Sequence, residues 1–240
     1  TGGELETRWY RCTLGGRPCG RMLQSTVPVE GGGTRTTIDL ELRFRRGEVE
    51  TSTRIRTAVV LGPDDAVQRM DVLRDLGGSP ASTRWIFGDS EVIERRSLAD
   101  SMVESRRPRP AGEWHVPDLA MEIARKRAAE GEPSRLRVLD PARGLEPAVI
   151  AFRRIGTEWI RIMNRDLEVD RWEITDPDGS VTMESFDSGG RLVSSEVPMG
   201  AGLGVLRIEL ATESDASLAL EGGVELMEAG AVRPAFEGRP

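Results

Sequence analysis

Ile38-Asp39-Leu40-Glu41-Leu42-Arg43-Phe44-Arg45 alternates apolar and charged residues over eight positions. A period of two puts every second side chain on the same face of a strand, so one face is dry and the other wet. Arg46-Gly47 marks a turn, and the return segment sets Val49, Thr51, Thr53, Ile55, Thr57 and Val59 against charged and small residues. The pair predicts a long antiparallel hairpin. Ile38, Leu40, Leu42 and Phe44 should face one interior, with Asp39, Glu41 and Arg43 towards water.

The same rhythm extends in both directions. Upstream, residues 9–14 read as a strand entering a Gly15-Gly16 turn, the dipeptide that tight hairpins favour. Two loop residues there would set Leu14 opposite Arg17, Thr13 opposite Pro18 and Cys12 opposite Cys19. Pro18 then falls in a non-hydrogen-bonded pair, where it removes no ladder bond. Cys12 and Cys19 fall in a hydrogen-bonded pair with Cα atoms about 5.5 Å apart, inside the span of a disulfide. Such a bridge implies an oxidising compartment; two reduced, half-buried thiols are the alternative. Two thiols do not complete a zinc tetrahedron, and no pattern for a metal or cofactor is present.

Downstream, Gly62-Pro63-Asp64-Asp65 is a turn. Residues 66–76 carry a mixed signal: Val67, Met70, Leu73 and Leu76 recur every three residues, while Met70 and Val72 alternate. The surrounding meander favours a strand. Residues 84–89 and 91–96 form a further hairpin across Gly88. Arg106-Arg107-Pro108-Arg109-Pro110 reads as a solvated Pro-rich linker within a connection at 106–117. One helix follows at about 118–130, with Asp118 as cap, an apolar stripe of Leu119, Ile123 and alanines, and Gly131 as stop. Strands then resume at 136–139, 148–155, 159–163, 170–175, 181–186 and 192–197. Turns fall at Asp140-Pro141, Gly156, Asp176-Pro177-Asp178-Gly179 and Gly189-Gly190. Residues 200–204 read as a hinge, 205–210 as a last strand, and the chain past about 222 as a tail.

Strand spacing of roughly ten residues points to antiparallel meanders rather than βαβ units. The expected fold is mainly β: a curved antiparallel sheet or incomplete barrel, with the helix at about 118–130 packed on it. Residues 1–220 form one β-rich domain, with 1–108 and 132–220 as an alternative division into halves and 221–240 as a tail or linker. A sheet curved under a helix leaves room for an apolar cavity.

The chemical inventory is sparse. His115 is the only histidine and Lys126 the only lysine in 240 residues, although most general-base, nucleophile-activating and metal schemes draw on these residues or clustered cysteines. No catalytic residue is expected. The formal charge of −7 is spread along the chain, which disfavours nucleic acid, a partner that needs a clustered basic face. No run approaches the roughly 20 apolar residues of a membrane span. Asp176-Pro177-Asp178-Gly179 lacks the closing acid of a calcium loop, and Gly200-Ala201-Gly202-Leu203-Gly204 lacks the Lys-Ser/Thr of a phosphate loop.

Three stretches together carry a family resemblance: Trp9-Tyr10 with Gly16 and Gly20; Arg137-Val138-Leu139-Asp140-Pro141; and Thr175-Asp176-Pro177-Asp178-Gly179 leading to Glu196-Val197-Pro198-Met199-Gly200. In this order, up to residue 220, the chain resembles the β-rich region that precedes transglutaminase-like domains in envelope proteins of planctomycete-type bacteria. More distantly it is similar to the half-barrels of outer-membrane lipoprotein carriers. The resemblance implies a non-catalytic, periplasmic or envelope accessory module whose partner is a downstream catalytic domain or an envelope protein. Independently of the resemblance, a curved sheet capped by a helix suits the alternative of a carrier for an acyl chain or other hydrophobic ligand. The family's Cys-His-Asp triad would lie in the following domain, and nothing in this chain matches it.

Overall fold

Eight strands run as an antiparallel meander through the first half of the chain. They are β1 (Glu6–Leu14), β2 (Arg17–Val29), β3 (Gly33–Arg46), β4 (Val49–Leu61), β5 (Val67–Leu76), β6 (Pro80–Phe87), β7 (Glu91–Leu98) and β8 (Ser101–Pro108). Helix α1 (Pro117–Ala129) follows, then a second meander: β9 (Ser134–Val138), β10 (Ala148–Ile162), β11 (Arg165–Thr175), β12 (Val181–Phe186), β13 (Leu192–Met199) and β14 (Gly204–Ala211). Helix α2 (Glu213–Gly222) and the short β15 (Val224–Glu225) complete it. This is a computed structural model that describes residues 6–225 apart from 47, 99, 100, 130, 201 and 202.

The two meanders join where β1 pairs antiparallel with β14, which gives one curved sheet ordered β8 to β1 and then β14 to β9. The terminal strands β8 and β9 do not pair with each other, so the sheet is not closed into a barrel. The segment before α1 covers part of the β9 edge through a parallel bridge between His115 and Val138. The expected mainly-β fold, a curved sheet with a helix packed on it, is the fold observed.

The stretch that opened the reading lies as its period requires. Leu42 is buried in a cluster with Tyr10, Cys12, Met22, Leu206 and Ile208, and Ile38, Leu40 and Phe44 pack against it. Asp39 and Glu41 occupy the opposite face but are half-buried there. Arg54 reaches Asp39 at 2.8 Å, and Arg21 reaches Glu41 at 3.2 Å. Cross-strand pairing with arginine, rather than bulk water, satisfies these acids. A second cluster sets Ala120, Met121 and Ala124 of α1 against Ile150, Phe152, Trp172 and Phe186. A third gathers Met70, Val72, Trp85 and Val92 beneath Val116 and Leu139.

Several local expectations are corrected. The Gly15-Gly16 turn is present, with φ of 57° and 80°, and Thr13 faces Pro18 as read. Beyond it the register slips: Cys12 pairs with Gly20, and Cys19 is the extra residue of a β-bulge. Gly20 is what permits this close approach, because a Cβ there would collide with the Glu41 carbonyl and with Leu42. The Arg-rich stretch is not a free linker. Residues 101–108 form edge strand β8, Arg107 pairs with the buried Glu94 at 2.7 Å, and Arg109 lies over the rings of Phe87 and Trp114. Pro108 is tolerated because it ends an edge strand.

Gly156 is no turn either. β10 runs through it with a register irregularity, and the reversal comes at Met163-Asn164, both with positive φ. The hinge expected at 200–204 includes residues 201 and 202, which lie outside the described residues; on either side of it Met199 pairs with Gly204, so β13 and β14 are antiparallel neighbours. Asp118 lies inside the first turn of α1 and not ahead of it. Helix α2 has no counterpart among the expected elements. It and β15, which pairs with β3 and buries Val224, incorporate residues 221–225 into the fold. Residues 226–240 of the expected tail lie outside the described residues.

Candidate functional site

The concave face of the sheet does not fill itself. Between α1 and strands on both sides of the β1–β14 junction lies a cavity of about 660 Å³. Its walls are largely apolar: Met22 and Ile38 on one side, Ile150, Phe152, Ile174 and Phe186 on the other, Val197 and Ile208 between them, and Met121 from α1. Residues from β2 and β3 share this space with residues from β10 to β12, which requires the sheet to curl around it. Alternation supplies the lining. Phe152 pairs with Ile174, which pairs with Thr182, so one face of three strands points the same way.

The charged lining residues divide into two groups. Arg8 pairs with Glu6 at 2.8 Å, Arg143 pairs with Asp176 and approaches Asp140 at 3.6 Å, and Arg191 holds Asp187 at 3.0 Å. These charges neutralise one another. Asp118 from α1 and Glu184 from β12 have no such partner among the described residues. Desolvation is the main cause that pushes Glu184 up from the ordinary 4.5 to about 7, with the negative charge of Asp118 adding to it; a long hydrogen bond from Ser195 Oγ at 3.5 Å acts against both. Asp118 is exposed to the cavity space, yet the protein around it desolvates its carboxyl and raises its pKa as well. Directly cross-strand from Glu184 stands Trp172, whose buried indole N–H has no partner among the described residues.

The residues singled out from sequence lie elsewhere. The bulge turns Cys12 and Cys19 into the same buried cluster, where both are free thiols. Desolvation raises both, Cys19 to about 12, and Cys12 is raised further by the proximity of Cys19. A thiol so raised is protonated at neutral pH and is not a nucleophile. His115 sits against β9 with Nε2 3.4 Å from the Glu113 carboxylate, in a shallow depression with Arg109 and Trp114. Lys126 is on the exposed side of α1, 2.6 Å from Glu122. Among the described residues no three His, Cys, Asp or Glu side chains converge to hold a metal, and no helix is long and apolar enough to cross a membrane.

Sequence reasoning read Asp118 only as a helix cap and did not single out Glu184. The signal was there in β12: Thr182, Glu184 and Phe186 share one face, so an acid lies on a side whose neighbour is aromatic.

No family model matches the chain, and no curated protein matches it. Among solved structures it is similar to a β-barrel-like protein of the domain of unknown function DUF1849 from Brucella abortus, with a TM-score of 0.62 and 13% identity over 86% of this chain and 95% of that one. At that identity the likeness reaches the β-barrel-like architecture and nothing finer; it carries neither a transglutaminase-like neighbour nor a planctomycete origin.

Proposed function

We propose that the chain is a non-catalytic binder or carrier of a hydrophobic, acyl-chain-like ligand, working in the periplasm or cell envelope. The observation that carries this reading is the cavity itself. About 660 Å³ is held open beneath α1 by apolar side chains, a volume in the range of small-molecule sites. The extracytoplasmic setting rests on the resemblance of the sequence motifs to envelope proteins. The non-catalytic reading rests on the buried, protonated thiols and on a lone histidine in a different cluster from them.

Displacement of a lipophilic fluorescent dye by decanol tests it on the purified chain. The expected result is saturable, one-to-one displacement. Thr182→Trp and Ile174→Trp, which place an indole in the cavity, should each weaken it by about tenfold. No displacement by decanol or by any other ten-carbon amphiphile, or displacement as strong in both folded variants as in the parent, would overturn the carrier reading.

A second reading, an accessory module standing before a transglutaminase-like domain, draws support from β8. This edge strand is exposed along its whole length, with Met102 at 75% and Val103 at 60%, and an open edge is a template for strand addition by a partner. The coding sequence beyond residue 240 decides it: a transglutaminase-like segment supports the tandem arrangement and an immediate stop codon rejects it.

A further inference from the structure

The cavity is lined by five carboxylates, Glu6, Asp118, Asp140, Asp176 and Glu184, against three guanidinium groups, Arg8, Arg143 and Arg191. Ion pairing assigns Glu6 to Arg8, and Asp140 and Asp176 to Arg143, while Arg191 is held by Asp187 outside the lining. Arg8 also donates to the Leu192 carbonyl at 3.4 Å. Among the described residues the cavity's positive charge is thus used within the protein, and the two carboxylates left over, Asp118 and Glu184, line the same largely apolar space. The contrast with Glu94 is informative: that acid is 1% exposed on the same sheet and is clasped by Arg96 at 2.6 Å and Arg107 at 2.7 Å. Half-buried Glu184 and Asp118, open to the cavity but desolvated by the protein around it, have no such clasp among the described residues, and a desolvated carboxylate without a cation is costly.

We infer that the ligand of this cavity carries a protonated amine on its apolar body, the ammonium held by Asp118 and Glu184 and the hydrocarbon lying against Met121, Ile150, Phe152 and Phe186. The inference rests on the carrier reading above and names the ligand's polar group. An ammonium brings the missing charge and donates to both acids, while its alkyl chain takes the apolar wall. A fatty acid would instead add a third unpaired carboxylate to the same space, and a neutral alcohol would leave the charge uncompensated.

Ammonium binding should also depend on pH. Around Glu184 stand Asp118 on α1, Ser195 on β13 and Trp172 on β11. The cavity's other titratable and charged groups are Glu6 and Arg8 on β1, Asp140 and Arg143 after β9, Asp176 after β11 and Arg191 before β13. Of all these, Asp118 is the charged group acting directly on Glu184. Protonating Glu184 removes one of the ammonium's two charged partners, so affinity should fall on acidification.

Dye displacement with decylamine, decanol and decanoate, equal in chain length, tests this on the purified chain. At about pH 8 decylamine should bind about tenfold or more tighter than decanol, and decanoate weakest. Glu184→Gln and Asp118→Asn should each cut the amine-over-alcohol ratio to about threefold or less, and so should lowering the pH to about 5. Glu209→Gln, on the opposite face of the sheet, should leave that ratio unchanged. Decanoate or decanol binding as tightly as decylamine, or an amine preference that survives in both folded variants, overturns the inference and leaves the carrier reading standing. Failure of all three ligands to displace the dye overturns the carrier reading, and this inference with it.

Discussion

Glu184 shows how one residue ties stability to the cavity. Its folded-state pKa of about 7 lies above the ordinary 4.5, so the folded chain holds this proton more tightly than the unfolded one. Stability attributable to Glu184 is therefore present below about pH 4.5 and falls as pH rises towards about 7. Urea unfolding of the parent and of Glu184→Gln should converge near pH 4.5. By pH 8 the variant should be relatively more stable by about 2–3 kcal/mol; a pH-independent difference would contradict the desolvation account. The cysteines make a second prediction at this scale. After reduction, a disulfide-exchange reagent at neutral pH should label neither Cys12 nor Cys19 until denaturant is added, since both are fully buried with raised pKa values. Rapid labelling of the native chain would place them elsewhere. The sequence located their hairpin but not their register, because the bulge at Cys19 depends on the approach of β3 to Gly20, which local turn chemistry does not encode.

At the scale of elements, strong alternation was legible and weak or interrupted signals were not. β3 and β4 follow from a period of two, and β12 coincides with its predicted span of 181–186. β5 was ambiguous because its apolar residues fit both periods; pairing with β4 and β6 decides for a strand. β8 was missed because proline and arginine look like linker until Glu94 and the Phe87 and Trp114 rings are there to receive them. Helix α2 is ten residues long and buries Ala216, Ala219 and Leu220, too small a stripe to stand out. Its start is nevertheless defined: Thr212 accepts from the Asp215 backbone N–H. Thr212→Ala should cost about 0.5–2 kcal/mol in urea unfolding, and no loss would show that α2 is held by packing on the sheet rather than by its cap.

For the whole molecule, two meanders joined at β1 and β14 make a sheet that curls without closing, and the curl creates the site. A curved sheet under a helix was readable from strand spacing. The cavity's polar pair was not, since Asp118 and Glu184 lie 66 positions apart and meet only when α1 folds across the concave face. Long-range convergence of this kind leaves no trace in local periodicity. The same geometry makes the cavity's occupancy measurable, because a heavy-atom-labelled alkane reports its own position. In a crystal of the chain soaked with bromodecane, a bromine anomalous peak is expected inside the cavity bounded by Met121, Ile150, Phe152 and Phe186, with the alkyl density beside it. A cavity filled by repacked side chains, or bromine found only on the outer surface, would contradict it.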